Sequence, residues 1–185
     1  MQNLHDIANL QSIRVDEHIY LRPLENGDAP AMLAILDMDP SIRESVTAAA
    51  RMRDESSFYD EVKFINQSPD LIRYAIVHDD ILVGLLSFWK DGGYFNADPI
   101  PNGYGFGYFL APSARGKGIV TTSLLAVMDV AERCLTVDSF MAYCEDGNNR
   151  SKQLLQNIGL QPTDDTYAEP SQGWIERRYV KKVDL

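Results

Sequence analysis

Apolar positions recur along the chain with two periods, and the period decides each element. Residues 18–22 (HIYLR) are rich in β-formers and stop at Pro23, which reads as a strand. Asp28 is a good helix N-cap with Pro30 tolerated in the first turn. Met32, Leu33, Ile35 and Leu36 then give one apolar face of a helix ending near Pro40. A second amphipathic helix is expected over about 55–66, on Phe58, Val62 and Ile65, closed by Pro69. Residues 74–77 and 81–89 read as antiparallel strands joined by a tight turn at His78, Asp79 and Asp80. Residues 91–102, rich in Gly, Pro, Asp and Asn, read as a loop.

Residues 103–110 (GYGFGYFL) alternate glycine with aromatics. That suits a strand with one nearly bare face, approached closely by another backbone or a ligand. A loop over 111–118 follows, then a helix of about four turns with Leu124, Leu125, Met128, Ala131 and Leu135 on one face. Residues 139–144 predict a strand and 145–149 a polar turn. Residues 151–158 predict a helix carrying Leu154, Leu155 and Ile158, with Gly159 as its C′ residue. A strand over 174–183 closes the chain. Strands and helices alternate through the centre, so a mixed α/β sheet covered by helices is expected. Residues 13–185 read as one domain and residues 1–12 as a loosely attached extension.

Composition narrows the partners. The 185 residues carry 17 Lys and Arg against 27 Asp and Glu, a net charge of −10. Such a chain is repelled by nucleic-acid phosphates and anionic lipid, so neither is an expected partner, whereas an amine-bearing one is. The excess concentrates between Asp16 and Asp80, with fourteen acids against six bases: a solvated helical surface, or a negative wall facing a cationic substrate. Cys134 and Cys144 form no disulfide framework and no metal-ligand spacing, and His5, His18 and His78 share no ligand spacing, so no metal is expected. The longest apolar stretch, 81–89, is interrupted by Gly84 and Ser87 and is far short of the ~20 residues a membrane crossing needs. Residues 1–12 lack the features of a signal peptide, so a cytoplasmic location is expected.

The chemistry concentrates at Arg115, Gly116, Lys117, Gly118, Ile119 and Val120, between a strand and a helix. A glycine-rich turn feeding a helix aims backbone N–H groups at the positive end of the helix dipole, a place for phosphate or pyrophosphate. Glycines let the backbone approach the oxygens, and Arg115 and Lys117 add local positive charge. A P-loop needs Ser or Thr directly after Gly-Lys, where Gly118 stands; a dinucleotide fingerprint needs a third glycine, where Thr121 stands. The pyrophosphate of coenzyme A is the third option.

Residues 114–120 (ARGKGIV), preceded by 107–110 (GYFL), resemble the coenzyme motif of the GNAT superfamily of acyl-CoA N-acyltransferases, Arg/Gln-x-x-Gly-x-Gly/Ala. Arg115 and Gly118 match; Val120 stands where Gly or Ala is usual. Asn148, Ser151, Leu154, Leu155, Gly159 and Leu160 resemble a second, later segment of the same family. Tyr108 and Ser151 point to its ribosomal-protein N-terminal acetyltransferase branch. The resemblance spans about residues 17–183.

It implies a mixed, mostly antiparallel sheet in which the strands ending at Leu110 and Cys144 splay apart to admit acetyl-CoA, with no metal. Phe109, Leu110 and Ala111 would pair with the pantetheine arm, and a backbone N–H there would stabilise the oxyanion. Arg115, Gly116, Lys117, Gly118, Ile119, Val120 and Thr121 would hold the pyrophosphate, and Asn148 the coenzyme's amide or the later helix. The implied reaction is direct attack of a primary amine on the thioester, with Ser151 giving a proton to the departing thiol. Glu169 is the implied base and Glu145 a weaker one. Trp89 and Tyr94 flank a loop that can contact substrate or anchor itself in the core. A protein N-terminal α-amine is the favoured acceptor and a small-molecule amine a possible one. A non-catalytic coenzyme-A module and a nucleotide-phosphate binder are the rivals, and monomer and homodimer both stay open.

Overall fold

A computed structural model describes residues 3–91, 98–168 and 175–183. Its strands are β1 Ile13–Arg14, β2 Ile19–Pro23, β3 Leu71–His78, β4 Ile81–Lys90, β5 Gly103–Leu110, β6 Ser139–Glu145, β7 Gln161–Ala168 and β8 Ile175–Lys182. They form one sheet in the order β1-β2-β3-β4-β5-β6-β8-β7. Neighbours run antiparallel except β5 and β6, which run parallel. The helices are α1 Ala8–Gln11, α2 Ala29–Met38, α3 Ser41–Ser45, α4 Thr47–Arg51, α5 Glu55–Gln67, α6 Ile119–Cys134 and α7 Asn149–Asn157.

Register decides which side chains share a face. Arg73, Ser87 and Gly107 form one row across β3, β4 and β5; Tyr74, Leu86 and Tyr108 form the next, on the opposite face. Arg73 meets Glu61 of α5, which packs beside α2 and covers the first face. Tyr74 donates its hydroxyl to the Leu10 carbonyl of α1 at 2.8 Å, and α1 packs on α6 over the second. With both faces covered, β3 is buried from Leu71 through Val77.

The feature that positions everything else is a parting of strands. β5 and β6 pair only from Gly103 and Ser139 to Phe106 and Ala142. Beyond that, β5 continues to Leu110 on β4 while β6 continues to Glu145 on β8, and a gap opens between them. This is the splay that the resemblance implies.

Several expectations change. Residues 3–12 are not loosely attached: Leu4 is 1% and Leu10 0% exposed, and the Leu4 N–H donates to the Pro69 carbonyl. Asp28 does not cap α2; its carboxylate accepts from Arg22 at 2.6 and 2.8 Å and from the Glu25 N–H at 2.9 Å. Leu125 points to solvent instead of joining the apolar face of α6. The bare face of β5 is met at Gly105 by a side chain: an added Cβ would lie 2.3 Å from the Trp89 indole.

Candidate active site

The loop at the end of β5 turns through a short 3-10 segment, Pro112–Ala114, and enters α6 at Gly118. Gly116 and Gly118 have φ of +77° and +78°, left-handed values that L side chains avoid, and nothing lies within 4 Å of where a Cβ would stand. These glycines are required by backbone shape. Among the described residues no side chain caps α6. The N–H groups of its first turn, including Ile119, Val120 and Thr121, therefore face outward as a donor set suited to an anion.

Arg115 is tied down. Its Nε donates to the Leu110 carbonyl at 3.1 Å, and its terminal nitrogen pairs with Asp39 at 2.6 Å. The Ser41 hydroxyl and Arg115 together hold the Asp39 carboxyl below its ordinary range. Lys117 is exposed.

A cavity of about 800 Å³ runs from this loop into the gap between the strands. Phe109, Leu110, Arg115, Gly116, Gly118, Ile119, Val120, Thr121, Asn148 and Ser151 line it; Ala111 and Lys117 do not. The Ala111 N–H donates to the Val83 carbonyl at 2.8 Å. The same register turns the Leu110 and Tyr108 backbone groups away from β4, toward the gap.

Ser151 stands in the first turn of α7. Asn148 caps that helix, accepting the Ser151 N–H at 3.0 Å, so the Ser151 hydroxyl has no capping role. It lies 2.8 Å from the Tyr108 hydroxyl. Burial pushes the Tyr108 phenol up to about 12, the Ser151 contact opposing the shift, so the pair is neutral at pH 7 and able to pass a proton. Cys144, 3% exposed, lies beside them; burial raises its thiol, which disfavours the thiolate a covalent mechanism needs.

Glu145 also lines the cavity, and its strand partner Glu176 stands beside it on β8. Glu169 and Tyr94 lie outside the described residues. Of the fourteen acids between Asp16 and Asp80, Asp39 alone lines the cavity, so most of that acidic stretch is solvated surface and no negative wall forms there.

The sequence reading missed Arg51, Arg73, Ser87, Arg150 and Glu176, all on the cavity wall. Arg73 and Ser87 left a signal: they are polar residues inside strands that are otherwise apolar. Among the described residues no His, Cys, Asp and Glu group could hold a metal ion, and no helix is long and apolar enough to cross a membrane.

Comparison with known proteins adds an independent line. The acetyltransferase (GNAT) domain family matches residues 18–161. The Bacillus subtilis protein YdaF, whose name proposes ribosomal N-acetylation, is 24% identical over 152 residues, 80% of each chain. RimL, a ribosomal L7/L12 alpha-N-protein acetyltransferase solved with coenzyme A, superposes with a TM-score of 0.79 at 19% identity over 94% of this chain and 98% of its own. The microcin C7 self-immunity acetyltransferase MccE, solved with acetyl-CoA and AMP, gives 0.73 at 20% identity over 94% and 97%.

Proposed function

Because the chain belongs to the GNAT acetyltransferase family, whose enzymes use acetyl-CoA, we propose that it transfers the acetyl group to the α-amine of a protein or peptide N-terminus by direct attack. The observation that carries this reading is one continuous cavity. It begins at the uncapped start of α6 and runs through the strand gap beside Tyr108 and Ser151.

The residues divide the work by position. The turn from Gly116 to Thr121 binds the pyrophosphate through backbone N–H groups, and Arg115 braces the turn through Leu110 and Asp39. Asn148 orders the start of α7 and so places Ser151. The Leu110 N–H, turned into the gap, donates to the carbonyl oxygen as negative charge develops on it. Ser151 gives its proton to the departing thiolate and regains one through Tyr108, which draws it from water in the cavity.

Deprotonating the acceptor sets a threshold. At pH 7 an α-ammonium costs about 1 kcal/mol to deprotonate and a lysine about 4–5. Glu145, a solvent-reachable carboxylate on the cavity wall, serves the first and not the second. The name of RimL, an alpha-N-protein acetyltransferase, also favours an N-terminal protein substrate, and that of YdaF a ribosomal one.

The test is thiol release from acetyl-CoA with matched α-amine, lysine, polyamine and aminoglycoside acceptors. Turnover led by α-amines is expected. Tight acetyl-CoA binding with no release on any acceptor would leave only a binding module.

A further inference from the structure

The far end of the cavity, beyond Gly107, has a composition unlike the rest of the molecule. Arg73 of β3 is 7% exposed, its Nε donates to Ser87 Oγ at 3.2 Å, and its terminal nitrogen pairs with Glu61 of α5, itself 5% exposed. Arg51 of α4 lies 3.7 Å from the same carboxylate, with its guanidinium 5.6 Å from the Phe64 ring centroid. Arg51, Phe64, Arg73 and Ser87 line the cavity, and Glu61 stands behind them. Two guanidinium groups thus share the Glu61 carboxylate at one end of a cavity in a chain of net charge −10. The opposite wall, on β6 and β8, carries Glu145 and Glu176.

Register fixes the distances. Arg73, Ser87 and Gly107 share one row, and Gly107 borders the strand gap. The Arg73 guanidinium reaches over Ser87, one strand from Gly107, about 5 Å away at sheet spacing. An acceptor amine attacking in the gap therefore has a guanidinium wall within about two residues' reach on one side and carboxylates on the other.

The geometry points to an acceptor that carries a carboxylate close to its α-amine: an acidic side chain at the first or second position of a peptide, or the carboxylate of a free amino acid. Three physical points support it. Substrate seated here strips water from the guanidinium groups, which a carboxylate compensates and a neutral or cationic group does not. Arg73 is held in place by Ser87 and Glu61, so its donors are pre-organised. A polycation would meet Arg51 and Arg73 at close range, at a cost.

This inference rests on the transferase reading and is tested so that the two fail separately. Acetyl transfer is measured with peptides carrying Asp or Asn, and Glu or Gln, at positions one and two, with free alanine and alaninamide, and with spermine. Each carboxylate acceptor is expected to exceed its amide twin at least 10-fold in kcat/KM. The peptide and free amino-acid arms identify the source of the carboxylate. Arg51→Gln and Arg73→Lys should each reduce the carboxylate-to-amide ratio several-fold. Because the ratio is taken within each variant, a general loss of fold cancels, and the partly exposed Arg51 keeps the test open if the Arg73 variant does not fold. Amide twins used equally well, spermine preferred, or a ratio unmoved in both variants would overturn the inference while leaving the transferase reading standing. Absence of transfer to every acceptor would remove the transferase reading and this inference with it.

Discussion

Tyr108 and Ser151 are 43 residues apart in the chain, and their hydroxyls meet only because β5 and β6 part where α7 begins. A neutral pair that passes one proton should behave as a unit. Ser151→Ala is expected to lower kcat by about 100-fold, within the usual range for losing a general acid, with the KM for acetyl-CoA little changed. Tyr108→Phe should cost less, and the double variant should be no worse than Ser151→Ala. Steady-state thiol release on the three variants checks this; additive losses would mean two independent roles. Gly118 gives a cleaner case. An added Cβ there touches nothing within 4 Å, so Gly118→Ala carries only the left-handed strain at φ +78°, about 1–2 kcal/mol. A melting temperature lowered by a few degrees and a raised KM for acetyl-CoA are expected, the first read by thermal unfolding without ligand.

At the scale of elements, the parts written by a clear period were legible. The expected strand over 103–110 matches β5 residue for residue; α5 follows its apolar spacing, and so does α6 apart from the solvent-facing Leu125. The tight turn is also as expected: Asp79 and Asp80 take φ of +50° and +61°, the left-handed pair that a two-residue hairpin needs. What escaped had no period to read. β7 is an edge strand of polar residues, exposed along most of its length, so no apolar face marks it. α3 and α4 span five residues each, too short to show a repeat. The start of the chain escaped for another reason: Leu4, Ile7 and Leu10 are a short apolar series whose burial depends on α6 and β3, far away in sequence. Leu10→Ala should therefore destabilise by about 2–5 kcal/mol, as for other fully buried leucines, which chemical denaturation can measure; a change below 1 kcal/mol would restore the loose extension. Gly105→Ala forces its Cβ against the Trp89 ring, which forms part of the cavity wall. It should both destabilise, by about 1–3 kcal/mol as overpacking does, and raise the KM of the acceptor more than that of acetyl-CoA.

Across the whole molecule the charges are sorted: a chain of net charge −10, and a cavity lined by backbone N–H groups at one end and arginines at the other. The composition disclosed the net charge and hid the arginines, because a net count cannot report where six bases sit among fourteen acids. Stability against pH follows the same local logic. Asp16 and Asp54, through backbone N–H donors, and Asp39, through Ser41 and Arg115, are held below their ordinary values. Their contribution is present above the unfolded carboxylate value near ~3.9 and is lost as acid titrates the folded state. His18 runs the other way. Its Nδ1 lies 2.7 Å from Asp79 Oδ1, and that hydrogen bond, then the charge of Asp79, raises its value. The pair therefore stabilises fully below the unfolded histidine value near ~6.5, and the benefit fades as pH rises through the higher folded value. Asp79→Asn isolates this effect, because asparagine accepts the left-handed φ of +50° and leaves the turn intact. The parent should lose a degree or two of melting temperature between about pH 6 and pH 8.5 that the variant does not, a small change as befits an exposed pair. Equal slopes in the two proteins would show that His18 and Asp79 contribute nothing to holding β2 against the β3 turn.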